Sequence, residues 1–120
     1  MTEKSYRDLV REAKTRIQEI TPSESVALQA GDGNALFVDV REPNEWNLGH
    51  IPGALHIPRG ILEQNIEAVA QRDARIILYC ASGNRTALAA DTLQQMGYTN
   101  VASLVGGFRG WVEAGGEIEG

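Results

Sequence analysis

The stretch from Arg75 to Met96 constrains this chain more than any other. Four apolar residues, Ile76-Ile77-Leu78-Tyr79, run directly into the only cysteine, Cys80. A short loop carries Gly83 and Asn84, Arg85 closes it, and a helical pattern starts at Thr86. An unbroken apolar run suits a strand covered on both faces, as in a parallel sheet. A strand feeding a helix through so short a turn is the unit from which such sheets are built.

The same alternation extends both ways. Ala35 to Val40 is a second apolar run, with Asp39 near its end, and Val101 to Val105 is a third. Ala54 to Ile57 reads as a short strand, stopped by Pro58 and Gly60. Thr2 to Ile20 reads as an amphipathic helix, with Tyr6, Leu9, Val10, Ala13, Ile17 and Ile20 at helical spacing and a Glu12–Arg16 pair on its polar side. Thr21-Pro22-Ser23-Glu24 is a capping box that opens a helix through Leu28 or Gln29, and Gly31 to Asn34 turns the chain after it. Arg41 to Gly49 is expected to be a loop with at most one helical turn. Ile61 to Gln71 and Thr86 to Met96 read as helices, the second stopped by Gly97. Gly106-Gly107 leads into a last helix carrying Phe108, Trp111 and Val112, and the tail from Glu117 to Gly120 is expected to be loose. Strands alternating with helices imply one α/β domain with a mainly parallel sheet and right-handed crossovers. Active sites of such sheets lie beyond the carboxyl ends of the strands, where Asp39 and Cys80 both stand.

The totals exclude several classes. A net charge of −5 speaks against a nucleic-acid surface, which needs a basic face. No apolar run approaches the roughly 18 residues of a membrane span. Polar residues from Glu3 onward leave no apolar core for a signal peptide. A single cysteine cannot form an internal disulfide; it suits a reducing cytoplasm and leaves a thiol free to react.

A free thiol is protonated at neutral pH unless its surroundings stabilise the thiolate. The helix after the loop aims unpaired N–H groups and its positive dipole end back at Cys80. Arg85 adds a permanent cation, and Gly83 lets the amides from Ala81 to Arg85 curve into an anion-binding nest. Such a cradle would hold Cys80 as a nucleophile. The structural alternative is that Cys80 fills the core, as lone cysteines usually do.

Cys80 to Thr86, CASGNRT, resembles the active-site loop of single-domain rhodaneses, the sulfurtransferases with Cys-x-x-Gly-x-Arg-[Ser/Thr]. Phe37 to Pro58 is similar to that family's Asp-Val-Arg and Gly-His-Ile-Pro-Gly-Ala segments, and Val105 to Trp111 to its Gly-Gly…Trp segment. The resemblance runs from about Thr21 to Gly116. It implies a rhodanese-like three-layer α/β domain over residues 21–116, with helices on both faces of the sheet and residues 1–20 as an extra N-terminal helix of the same domain. It implies a thiosulfate sulfurtransferase. Cys80 would take the outer sulfur of a small sulfur-donor anion, thiosulfate or a persulfide, and pass it to a thiol acceptor such as a thioredoxin-like protein, without metal or organic cofactor. Arg85, Ala81, Ser82, Gly83, Asn84 and Thr86 would bind the substrate, supported by Asp39 and Arg41.

Two other readings stand beside it. Cysteine phosphatases and arsenate reductases share the layout, but have five residues between Cys and Arg where this chain has four, and usually His where it has Tyr79. A non-catalytic rhodanese-like module could bind a partner or sense redox state. Asp39, Arg41 and Glu45 form a charge cluster in which Asp39 would cap its turn or reach Arg85 or the loop amides, and Arg41 would pair with Glu45 at the surface. The loop's own charge is Arg85 alone, sparse for the dianion thiosulfate. His50 is expected to fix the turn before Pro52; with His56 and one cysteine it makes no metal-ligand pattern. Trp46 and Trp111 read as packing residues, and Arg59 as a solvated side chain near the rim of the site.

Overall fold

A computed structural model describes residues 3–31 and 33–120. In chain order the elements are α1 (Tyr6–Lys14), β1 (Gln18–Ile20), α2 (Pro22–Gln29), β2 (Ala35–Asp39), α3 (Pro43–Asn47), β3 (Leu55–His56), a 3-10 turn (Arg59–Ile61), α4 (Leu62–Val69), β4 (Arg75–Tyr79), α5 (Asn84–Gln95), β5 (Val101–Leu104) and α6 (Gly107–Glu113). The strands form one five-stranded sheet in the order β1-β5-β4-β2-β3, and every pairing is parallel. The apolar run of β4 is continuous because this strand is central and covered on both faces.

Alternation along β4 divides the core. Ile76, Leu78 and Cys80 face one side, where Leu62 and Ile66 of α4 and Ala89, Ala90 and Leu93 of α5 cover them. Ile77 and Tyr79 face the other, against Trp111 of α6 and the half-buried Val26 and Leu28 of α2. This is the three-layer α/β arrangement expected from the sequence. Alanines on the buried side of α5 let that helix lie close to the sheet, which sets its first turn directly over the end of β4.

The N-terminal segment departs from expectation. A single helix from Thr2 to Ile20 is not what forms, and Thr2 itself lies outside the described residues, as does Asp32 of the expected turn. Ser5 caps α1: its hydroxyl accepts from the Asp8 N–H at 3.1 Å while the Asp8 carboxylate accepts from the Ser5 N–H at 3.0 Å. The helix stops at Lys14, and the chain enters the sheet as the edge strand β1, beside β5. A three-residue edge strand buries one side chain, Ile20, so it leaves no alternation to read. The Glu12–Arg16 pair does not form either. Arg16 lies past the helix end and grips Asp91 of α5 with two nitrogens, at 2.8 and 3.0 Å, while Glu12 pairs with Lys4.

The tail is also not loose. The Trp111 indole donates to the Glu117 carbonyl at 2.8 Å, and His50 and Glu119 exchange backbone hydrogen bonds at 2.8 and 2.9 Å. The capping box at Thr21 and the helix to Gln29 match the sequence reading. The expected loop at Arg41 contains α3, with Pro43 as its first residue. Among the described residues, no helix is long and apolar enough to cross a membrane.

Candidate active site

Cys80 leaves the carboxyl end of β4 with only 1% of its surface exposed. The chain then turns through Ala81 and Ser82 to Gly83, which adopts φ +102°. That angle folds the loop back over the sulfur, and the Gly83 N–H donates to Cys80 Sγ at 3.1 Å. The Thr86 hydroxyl stands 3.7 Å from the same sulfur. Burial pushes the thiol pKa up, but the N–H groups of Thr86, Gly83 and Ser82 and the Thr86 hydroxyl outweigh it, so the net shift is downward. The thiolate form is therefore favoured by backbone dipoles and one hydroxyl, at the N-terminus of a 12-residue helix.

The loop keeps its shape because α6 grips it from outside. The Phe108 N–H donates to the Cys80 carbonyl at 2.7 Å, and the Arg109 N–H to the Ala81 carbonyl at 3.4 Å. Two orphan donors of one helix thus hold the loop's carbonyls, leaving its own amides to face the sulfur. So close an approach requires Gly107. It has φ +57°, and a Cβ there would fall 2.4 Å from the Cys80 carbonyl oxygen. The Gly-Gly pair was legible as a turn; that it docks against the cysteine loop was not.

Asp39 and Arg41 do not take the places expected of them. Asp39 is fully buried and caps its turn by accepting from the Arg41 N–H at 2.8 Å. Its carboxylate also accepts from the Arg41 guanidinium, at 2.7 Å from Nη2 and 3.1 Å from Nε. Arg41 is therefore not a surface partner of Glu45. It is 5% exposed, donates further to the Gly49 carbonyl at 2.7 Å, and lies over the Phe108 ring at 4.4 Å. Arg41, Ala81, Ser82, Phe108 and Arg109 line a pocket of about 310 Å³. The pocket thus has two cations, both supplied from outside the loop. Arg109 was not singled out in the sequence, since a lone arginine in a short C-terminal helix carries no signal of its own.

Arg85 sits in the first turn of α5, and its guanidinium is turned toward Glu45 at 3.7 Å. Its side chain is a third exposed, and the groups that touch Sγ belong to other residues. Asn84, beside it, is exposed and does not line that pocket; it borders a separate hollow together with α1. Thr86 is fully buried and is bound to Ser103 of β5 at 2.7 Å, a partner that a serine inside an apolar strand did not suggest. Tyr79, just before Cys80, points to the opposite face. Its hydroxyl accepts from the Ile51 N–H at 3.1 Å, and burial and the Asp39 charge push its pKa up, so it is a neutral phenol.

The remaining candidates are structural. The Trp46 ring stacks on His50 at 3.4 Å and on His56 at 4.9 Å. His50 Nδ1 contacts the Trp46 carbonyl at 3.0 Å and His56 Nε2 the Arg41 carbonyl at 2.8 Å, so both imidazoles brace the chain around α3. Arg59 pairs with Glu63 at 2.9 Å. Trp111 is fully buried, edge-on to Phe37.

Known proteins share much of this sequence and its fold. The chain is 42% identical over 91 residues to an uncharacterized Bacillus subtilis (strain 168) protein, YqhL, covering 76% of this chain and 69% of that one. It is 38% identical over 94 residues to thiosulfate sulfurtransferase GlpE of Pseudomonas paraeruginosa, covering 78% and 83%. Among solved structures, RPA3614 of Rhodopseudomonas palustris, a protein of unknown function named as a possible tyrosine phosphatase, superposes with a TM-score of 0.88 at 37% identity over 99% of this chain and 97% of that one. A rhodanese-related protein of Thermoplasma volcanium superposes with a TM-score of 0.74 at 29% identity, over 85% and 97%. Residues 21–114, from the capping box at Thr21 to the end of α6, match the rhodanese-like domain, and the chain belongs to that family.

Proposed function

We propose that this chain is a sulfurtransferase that carries sulfane sulfur as a persulfide on Cys80. The observation behind this reading is the cradle itself: a buried sulfur that accepts from the Gly83 N–H at 3.1 Å, beside the Thr86 hydroxyl. A cradle closed this tightly on one sulfur atom suits a thiolate nucleophile. The Cys80 thiolate attacks the outer sulfur of thiosulfate, forming a new S–S bond. The S–S bond of thiosulfate breaks, and sulfite leaves with the electron pair. The outer sulfur of the resulting Cys80 persulfide is anionic, and the loop amides stabilise it. An acceptor thiolate then attacks that outer sulfur, takes it as its own persulfide, and returns Cys80 as thiolate. Charge and electrons balance in both steps, so no oxidant, reductant, metal or organic cofactor is required.

Arg109 eases the difficulty of a dianionic donor. The loop carries only Arg85, but the adjoining pocket adds Arg109, while the Arg41 charge in its wall is balanced by the buried Asp39 carboxylate. Residues 21–116 would form the catalytic unit, with the N-terminal segment folded onto it. A cytoplasmic location accompanies this reading, because a lone free thiol suits a reducing compartment.

Mass spectrometry after incubation with thiosulfate tests the proposal. The protein should gain one sulfur atom, lose it on addition of cyanide, and gain none as Cys80→Ser. No added sulfur with thiosulfate or any persulfide donor would falsify the reading. Turnover of an aryl phosphate without persulfide would move the site to the phosphatase class suggested by the name of the R. palustris relative.

A further inference from the structure

Asn84, four residues after Cys80, borders a second hollow, lined by other residues than the pocket of Arg41 and Arg109. Asn84 forms one wall of a groove of about 570 Å³ whose other wall is α1, through Tyr6, Arg7, Val10, Arg11 and Lys14. We infer that this groove docks the sulfur acceptor, and that the acceptor is an acidic protein segment bearing the receiving cysteine. The inference names a partner for the site proposed above and rests on that reading for its role in sulfur transfer.

The first argument is charge. Arg7, Arg11 and Lys14 follow one another at i, i+4 and i+7, so they share one face of α1. Arg11 is tied to Asp8 at 2.6 Å, whereas Arg7 and Lys14 are exposed and make no ion pair among the described residues. The chain as a whole carries −5, which repels an acidic partner from most of its surface. A basic strip on such a molecule steers an acidic partner to one place, and that place adjoins the cysteine loop.

The second argument is shape. The three cations span roughly 10 Å of helix, more than a single carboxylate or cyanide could use. Tyr6 lines the groove with 54% of its surface exposed, and Leu9 beside it on α1 is 44% exposed. Exposed aromatic and arginine side chains together are the composition of a protein interface. The helix is also firmly mounted. Val10 and Ala13 are buried against Ala87 of α5, and Arg16 grips Asp91. The groove therefore keeps a fixed relation to α5, at whose first turn Asn84 stands. Residues 6–14 lie outside the family match at 21–114, so this docking face is an addition to the shared domain.

Two measurements test it. In the first, fluorescently labelled peptides with one serine in place of cysteine, flanked by glutamates, glutamines or lysines, are titrated into the unloaded protein. The glutamate peptide should bind about tenfold more tightly than the glutamine peptide at low salt and lose that advantage as salt rises. The advantage should vanish in the double variant Arg7→Glu/Lys14→Glu and fall in Arg7→Gln/Lys14→Gln, with circular dichroism showing both variants folded. Equal binding of all three peptides, or an advantage that survives charge reversal, would overturn the inference whether or not Cys80 forms a persulfide. In the second, protein loaded from thiosulfate is mixed with the cysteine forms of the peptides and, separately, with glutathione. Faster sulfur transfer to the glutamate peptide, lost in Arg7→Glu/Lys14→Glu, supports the acidic partner. A preference for glutathione over every peptide, lost in the same variant, would assign the groove to a small acid instead and overturn the partner. Persulfide formation with transfer to cyanide but no peptide preference refutes the groove alone and leaves the sulfurtransferase standing.

Discussion

The Thr86 hydroxyl lies 2.7 Å from the Ser103 hydroxyl, a hydrogen bond in which either oxygen can donate. Thr86 has one proton and three acceptors within reach, the Ser103 hydroxyl, the Gly83 carbonyl at 3.1 Å and the Cys80 sulfur at 3.7 Å. When Ser103 donates to Thr86, the Thr86 proton is free for the thiolate. Ser103 is a positioning residue one step behind the sulfur. Thr86→Val keeps the volume and removes the donor, so the thiolate should lose up to about 1.5 kcal/mol of stabilisation, and the Cys80 pKa should rise. Ser103→Ala should move it the same way by less. Thiolate absorbance followed against pH reads both, and an unchanged curve for Thr86→Val would remove the hydroxyl from the cradle.

The depressed Cys80 pKa has a consequence for stability. An unfolded cysteine titrates near about 8.5, and the folded one lower. The cradle's preference for thiolate therefore stabilises the fold fully above the unfolded value, and that stabilisation disappears as pH falls through the folded value. Cys80→Ala lacks it at every pH. Urea unfolding of both proteins across this range should show the native protein's relative stability rising with pH; a constant difference would mean that the thiol is not perturbed.

Arg85→Ala should leave the Cys80 titration close to that of the native protein. The guanidinium is directed at Glu45, at 3.7 Å and partly in solvent, where an ion pair contributes at most about 1 kcal/mol. Its part in the reaction would lie in holding the donor, so a loss should fall on the KM for thiosulfate. A large rise in the Cys80 pKa would return Arg85 to the thiolate's immediate surroundings.

Arg41→Ala should be among the most damaging substitutions. It leaves the Asp39 carboxylate fully buried with its cation gone, a change that typically costs about 3–5 kcal/mol. Arg41→Lys keeps a charge but cannot reach both carboxylate oxygens and the Gly49 carbonyl together, so it should be intermediate. Thermal unfolding ranks the three proteins. Equal stability of Arg41→Ala and the native protein would show that the buried pair is not what braces the pocket.

The parallel α/β character and the two central strands were legible because Ile76 to Tyr79 and Phe37 to Asp39 are buried on both faces and advertise it within continuous apolar runs. The cysteine loop was legible because strand, glycine and helix start are adjacent in sequence. What escaped were features made by partners distant in the chain. Gln18 to Ile20 is a strand only because β5 lies beside it. Arg109 matters only because α6 docks on the Cys80 carbonyl, and Ser103 only because Thr86 stands opposite. The Arg41–Glu45 pairing failed because a buried carboxylate two residues before Arg41 is the stronger partner. Apart from the Asp39–Arg41 pair, which is two residues apart, none of these leaves a local pattern.

Gly107 offers the sharpest test of how the loop is held. A methyl group there would meet the Cys80 carbonyl oxygen at 2.4 Å and the Ala81 carbonyl carbon at 2.6 Å, both backbone atoms that cannot rotate away. The φ of +57° adds about 1–2 kcal/mol of strain for any other residue. Gly107→Ala must therefore push α6 off the loop and break the hydrogen bonds from Phe108 and Arg109. With those carbonyls released, the amides facing Cys80 lose their alignment. Gly53→Ala is the matched control. It has φ +79° and open space where the Cβ would go, so it carries the strain without the collision. Gly53→Ala should lower stability by that same 1–2 kcal/mol and load sulfur from thiosulfate normally. Gly107→Ala should lower stability further and, in the fraction that remains folded at low temperature, load sulfur at least tenfold more slowly with a raised Cys80 pKa. Equal loading by the two variants would mean that the loop holds its shape without α6.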